Sequence, residues 1–249
     1  MSIRVNSPNQ STLTSLRNSR ENQEKLKKTM EKLSSGKQIN RAADDAAGLA
    51  VSQQLGQALR GLEQGMENVY DGLSLTQVAD GALDQSSDNL LRMRELAMTA
   101  ANGTLNSGQR DAVQAEFDSL KSEITRISDS TEYNGKKLLD GSAGEVDIST
   151  GTESGGSPDA LTLDLSTSMD AASLGISSSS VSGADGKAAL SAMADIDSAM
   201  AKISSRRSEF GSFSNRLMST HQSLAISAEN TYAAQSRIQD ADVAVESAN

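Results

Sequence analysis

The residues of this 249-residue chain whose types could do chemistry are few: one histidine, His221, and two close acidic pairs, Asp44-Asp45 and Asp240 with Asp242. Nucleophilic catalysis needs a base beside an activated hydroxyl or thiol, and a zinc centre needs several His or Cys ligands. One His and no Cys assemble neither, and disulfides and thiol chemistry are excluded with them. The acidic pairs have no further ligands and no phosphate-binding glycine loop beside them. Helix capping and ion pairing therefore account for them better than a metal does. No GxGxxG follows a strand and no P-loop occurs, so the usual nucleotide sites are missing as well. The expectation is a protein that is not an enzyme, with no catalytic residues, metal or cofactor.

Charge and composition narrow the partners. The net charge of −10 combines a basic head, with nine Lys/Arg against three Glu in residues 1–41, and an acidic body, with fourteen against thirty. An acidic body with three Phe, three Tyr and no Trp argues against nucleic acid, which needs a basic track and stacking platforms. No apolar stretch is long enough to span a membrane or to act as a secretory signal. The charges of the head interleave with an apolar stripe, which reads as a solvated face or a contact with another subunit. The apolar residues, mostly Ala, Leu, Ile, Val and Met, bury most readily along narrow helical seams.

Such seams run through most of the chain. Pro8 and the polar run before Leu13 start a helix whose Leu13, Leu16, Leu26, Met30 and Leu33 share one face, and Ser34-Ser35-Gly36 stops it. Asp44-Asp45 then cap a long helix in which Leu55, Leu59, Leu62, Met66, Val69 and Leu73 alternate 4–3 spacings. That register continues through Thr76, Leu83, Leu90 and Ala97, for about 80 Å in all. After Asn102-Gly103-Thr104 a shorter helix with Val113, Phe117, Leu120, Ile124 and Ile127 folds back antiparallel. Tyr133-Asn134-Gly135 is a turn. Val146 and Ile148, then Leu161, Leu163 and Leu165, alternate as half-buried strands around a loop at Gly151–Pro158, and Ser177–Ser180 is a flexible run. From about Ala188 to the end, one helix carries Ile196, Met200, Ile203, Phe210, Leu217, Leu224, Ala228 and Ile238 on a single register. Arg207, Ser214, His221, Thr231 and Gln235 fill the remaining seam positions.

The fold class that follows is mainly α, an elongated antiparallel coiled-coil helical bundle with a small β-hairpin region. Its parts are an N-terminal arm (1–34), a linker (35–47), a long helix with a shorter returning one (48–130), a β-hairpin with Gly/Ser-rich loops (131–185) and a C-terminal long helix (186–249). The apolar face of the arm has too little partner within the chain, and such a face invites another molecule.

Two stretches are distinctive without being catalytic: LSSGKQINRAADDAAGLA (33–50) and LLRMRELA (90–97). With AANGT, VQAEFDSLKSEITRI, TEYNGKKLLDG and SRIQDADVAVESAN following in order, the chain resembles bacterial flagellin over nearly its whole length. The resemblance implies a structural subunit that self-assembles with copies of itself into the extracellular flagellar filament, the propeller for swimming. Residues 1–34 then line the filament core, 35–47 form a spoke and the rest forms the outer wall, with no variable outer domain inserted near 150–158. It further implies export in an unfolded state by the flagellar type III machinery without a cleaved signal, and assembly beneath the filament cap. Arg92, Leu96 and Glu116 match positions gripped by the vertebrate Toll-like flagellin receptor, positions that also serve filament packing; Leu91 departs from the polar residue often found there. Family members usually continue past Ser247-Ala248-Asn249 with an apolar helix that pairs with the arm. The chain thus resembles a short form in which that C-terminal core helix is missing. Two other readings share the helical plan: a hook-filament junction protein, and a secreted helical protein that binds a host partner as a monomer.

Overall fold

The computed structural model describes residues 10–151, 160–183 and 186–248; the readings of Pro8 and of most of the Gly151–Pro158 loop lie outside the described residues. Along the chain run α1 (Gln10–Ser35), α2 (Ala46–Ala100), α3 (Ser107–Ser130), β1 (Glu132–Tyr133), β2 (Lys136–Lys137), β3 (Glu145–Ser149), β4 (Ala160–Asp164), α4 (Ala171–Leu174), α5 (Lys187–Gln239) and α6 (Val243–Ala248). The protein is mainly α, with two antiparallel strand pairs, β1–β2 and β3–β4. It divides into two compact units, residues 62–225 and residues 1–61 with 226–249.

Local chemistry sets the element ends. Asp45 Oδ1 accepts the N–H groups of Ala47 and Gly48 at 3.0 Å, satisfying donors that the first turn of α2 leaves unpaired. Asn106 and Gln109 form a reciprocal capping box at the start of α3, and Asp170 caps α4 by accepting the Ser173 N–H. Asn134 and Gly135 both take positive φ, +50° and +76°, the turn that suits the twist of a tight hairpin between β1 and β2.

The unit of residues 62–225 is built on one continuous apolar core drawn from α2, α3, β3, β4, α4 and α5. On α2 the buried line runs Val69, Gly72, Thr76, Ala79, Leu83, Ser86, Leu90, Met93 and Ala97; on α5 it runs Ile196, Ala199, Ile203, Arg206, Phe210, Phe213 and Leu217. This agrees with the sequence register at Val69, Thr76, Leu83, Leu90 and Ala97 and differs from it at Leu73 on α2 and at every second position on α5. The register names Leu73, Met200, Arg207 and Ser214, yet these four are half-buried and the residue one earlier is buried in each case. A two-helix seam would have kept the named positions inside. Here both helices also face α3 and the strands, so the buried stripe turns toward that third layer. The strands obey the expected alternation, with Ile148 and Leu163 buried and their neighbours outward.

Two helical glycines let the sheet approach α2. A Cβ at Gly65 would lie 2.7 Å from the Thr150 carbonyl oxygen, and one at Gly72 would run into the Ile148 side chain. Between them Asn68 Nδ2 donates to the Ser149 carbonyl at 2.9 Å, seating the end of β3 on the helix.

The unit of residues 1–61 and 226–249 is joined differently. Gln235 Nε2 donates to the Ser52 carbonyl at 3.3 Å, and Ser52 Oγ donates to Gln239 Oε1 at 3.2 Å. The expected uninterrupted helix to the C-terminus is corrected here: α5 stops at Gln239. The backbones of residues 36–38 and 239–241 pair instead, with Gln38 N donating to Gln239 O at 2.7 Å and Ala241 N to Gly36 O at 3.0 Å. Asp242 then caps α6 through the Ala244 N–H, a role in which Asp is favoured over a mid-helix position.

Candidate assembly and recognition surfaces

The residues that could do chemistry are held in structural roles. His221 is half-buried, its ring edge-on to Tyr70 with centroids 4.6 Å apart. Asp44 Oδ2 accepts the backbone N–H groups of Asn40 at 3.3 Å and Arg41 at 3.1 Å. The Arg41 backbone donor, first among several causes, holds the Asp44 carboxyl below its ordinary value. Asp240 accepts from Ser236 Oγ, and Asp242 caps α6. Among the described residues no three His, Cys, Asp or Glu side chains group as metal ligands, and no helix is long and apolar enough to cross a membrane.

What the chain does offer is surface. Along α1 the side chains Leu13, Leu16, Leu26 and Met30 are each more than half exposed on one stripe, an uncommon state for large apolar residues at helical spacing. The polar side of the same helix is engaged. Lys32 pairs with Glu246 at 3.2 Å and Glu31 with Arg41 at 2.8 Å.

Of the residues singled out for recognition, Arg92 and Glu116 meet across α2 and α3 at 2.8 Å, and Arg92 also reaches Glu95 at 3.0 Å. The Glu116 and Glu95 carboxylates raise the guanidinium pKa further. Leu96, one turn along, is 6% exposed, so it supports this surface from beneath, whereas Leu91 is 46% exposed. Of the seam residues, Val69, Leu83, Leu90 and Leu217 are buried, while Leu55, Leu59, Leu62, Met66, Leu73 and Leu224 are half-buried.

Two buried arginines escaped the sequence reading. Arg110, 3% exposed, donates to the carbonyls of Ala100 at 2.9 Å, Asn102 at 3.1 Å and Gly183 at 3.2 Å, tying the C-terminal end of α2 to the segment before α5. Arg206 lies over the Phe210 ring at 4.9 Å, pairs with Glu209 at 2.7 Å and donates to the Asp164 carbonyl. No local spacing marks an arginine that closes on distant carbonyls. The glycines did carry a signal: two Gly seven apart inside a helix cost about 1 kcal/mol each unless something approaches closely.

Comparison with known proteins accords with this geometry. The bacterial flagellin N-terminal helical region matches residues 6–144, and the bacterial flagellin C-terminal helical region matches residues 193–249. A flagellin of Halalkalibacterium halodurans is 43% identical over 88% of this chain and 79% of its own. The Bacillus subtilis flagellin is 37% identical over 98% and 89%. The crystal structure of Bacillus cereus flagellin superposes with a TM-score of 0.55 at 34% identity, covering 64% of this chain and 88% of that one. With long helices whose chemically capable groups are spent on caps and packing, and an arm whose apolar stripe is bare, the chain belongs to the bacterial flagellin family, the structural subunits of flagellar filaments.

Proposed function

We propose that this chain is exported unfolded by the flagellar type III machinery, adds to the growing filament beneath its cap, and is held there chiefly by the α1 arm packing against arms of other copies. The observation that carries this reading is the bare stripe of Leu13, Leu16, Leu26 and Met30. Burying four such side chains against a neighbour contributes about 1.5–3 kcal/mol each, enough to drive assembly of a segment whose stripe is left uncovered among the described residues. A Leu16→Glu, Leu26→Glu double variant tests it. Elongation from wild-type filament seeds, followed by electron microscopy, should fall at least tenfold while the unfolding transition of residues 62–225 stays in place. Filaments growing at the wild-type rate would remove the arm from the reading.

The exposed Arg92–Glu116 pair, underlain by Leu96, is the surface we assign to the vertebrate Toll-like flagellin receptor. Exposed charges with fixed geometry suit a partner that reads them by hydrogen bonding. Arg92→Ala monomer should signal less in cells bearing that receptor; equal signalling would remove this assignment.

A further inference from the structure

Among the described residues of the 62–225 unit, six large apolar side chains are strongly exposed: Tyr70, Val78, Leu91, Met98, Leu190 and Met218. Five of them fall on one edge. Tyr70, Leu91 and Met98 lie on the α2 heptad that runs 70, 77, 84, 91, 98, and Leu190 and Met218 lie on the α5 heptad 190, 197, 204, 211, 218. The two lines are brought side by side by contacts between their members and near neighbours. Asp84 meets Arg207 at 2.6 Å, Asp197 meets Arg94 at 2.9 Å, and Tyr70 meets His221. Between the apolar ends is a shallow depression of about 480 Å³ where Ser204, Ser208 and Gly211 carry little bulk. Val78 lies on the heptad of Arg92, the edge that faces α3.

The geometry points to this α2–α5 edge as a lateral interface with a second copy of the chain in the filament, an inference that rests on the filament-subunit reading above. From Tyr70 to Met98 the strip runs about 42 Å at ~1.5 Å per residue. Two helices side by side make it about 18 Å wide, which gives roughly 750 Å² on each copy. Stable protein interfaces bury about 600–1,000 Å² per partner, and an edge of this size lies within that range. Its make-up also fits. Apolar side chains stand at both ends, and the charges between them, Arg94 with Asp197 and Arg207 with Asp80 and Asp84, are already paired within the subunit, so covering them strands no lone charge.

Hydroxyl-radical footprinting of the unaltered protein, as monomer and as filaments sheared from cells, tests the inference by mass spectrometry of side-chain oxidation. Tyr70, Leu91, Met98, Leu190 and Met218 should react at least threefold more slowly in the filament than in the monomer, with Met98 and Met218 giving the strongest signals. The buried Met93 should be slow in both, and Val78 should change less than the five. Unchanged rates at the five in an otherwise intact filament would overturn the edge assignment and leave the filament reading standing. Absence of this chain from sheared filaments would overturn both.

Discussion

The two compact units of this molecule are held together by different physics. The unit of residues 62–225 contains nearly all of the buried apolar side chains, with Phe117, Phe210, Leu83, Leu90 and Ile196 fully enclosed; in the other unit Ile39 is the one buried large apolar residue among those described. That second unit is tied by backbone pairing, by side chains such as Ser52, Gln235 and Gln239, and by ion pairs. Apolar burial is the main favourable term in folding, whereas exposed ion pairs contribute little. The difference teaches where the subunit holds its own apolar burial, in residues 62–225, and where it leaves apolar surface bare, on α1.

The comparison breaks most readily at the core. Phe210→Ala should cost about 3–5 kcal/mol in the main unfolding transition, while Leu26→Ala, on a bare stripe, should change the monomer by less than about 0.5 kcal/mol. Denaturant titration of the two variants gives the contrast, and equal losses would contradict it. Gly65→Ala comes next. Its methyl meets the fixed Thr150 carbonyl, so a displaced β3 should outweigh the helix-propensity gain and leave a net loss of about 1–2 kcal/mol in the same transition.

Acid should act more gently. Within the core unit the Ser173 N–H holds Asp170 below its ordinary carboxylate value, and the Ser142 hydroxyl and N–H do the same for Asp140. A carboxylate with a lowered native pKa stabilises fully above its unfolded value and loses that contribution as pH falls through the native one. The melting temperature should therefore be flat from neutral pH down to about 4 and decline below it, as differential scanning calorimetry would read. The smallest effect belongs to the exposed Arg92–Glu116 pair, whose double-mutant cycle in the isolated monomer should show no coupling beyond measurement error.

Most of the fold was legible in the sequence because periodicity reports burial directly. Leu83, Leu90 and Leu217 are inside, Asp45 caps α2, and Asn134-Gly135 makes the turn. What spacing could not supply was the number of neighbours a helix has. The 4–3 pattern places Leu73 and Met200 in a two-sided seam, and only the arrival of α3 and the strands shifts the buried line to Gly72 and Ala199. The stop at Gln239 was similarly hidden, since it depends on backbone pairing with residues 36–38, about two hundred positions away. The exposure of α1 was readable from its stripe. The single-edge clustering of Tyr70, Leu91, Met98, Leu190 and Met218 was not, because it depends on which sides of α2 and α5 the core leaves free.

Arg110 also sets an order of events in time. Its guanidinium closes on Ala100 and Asn102 nearby, but on Gly183 from 73 residues later, and Asp80 waits 127 residues for Arg207. A chain made or delivered from its N-terminus therefore holds helices early and a closed core late, since such distant contacts carry a large loop-closure cost and slow the final step. Until α5 is present, α2 and α3 lack a layer of the core they pack against.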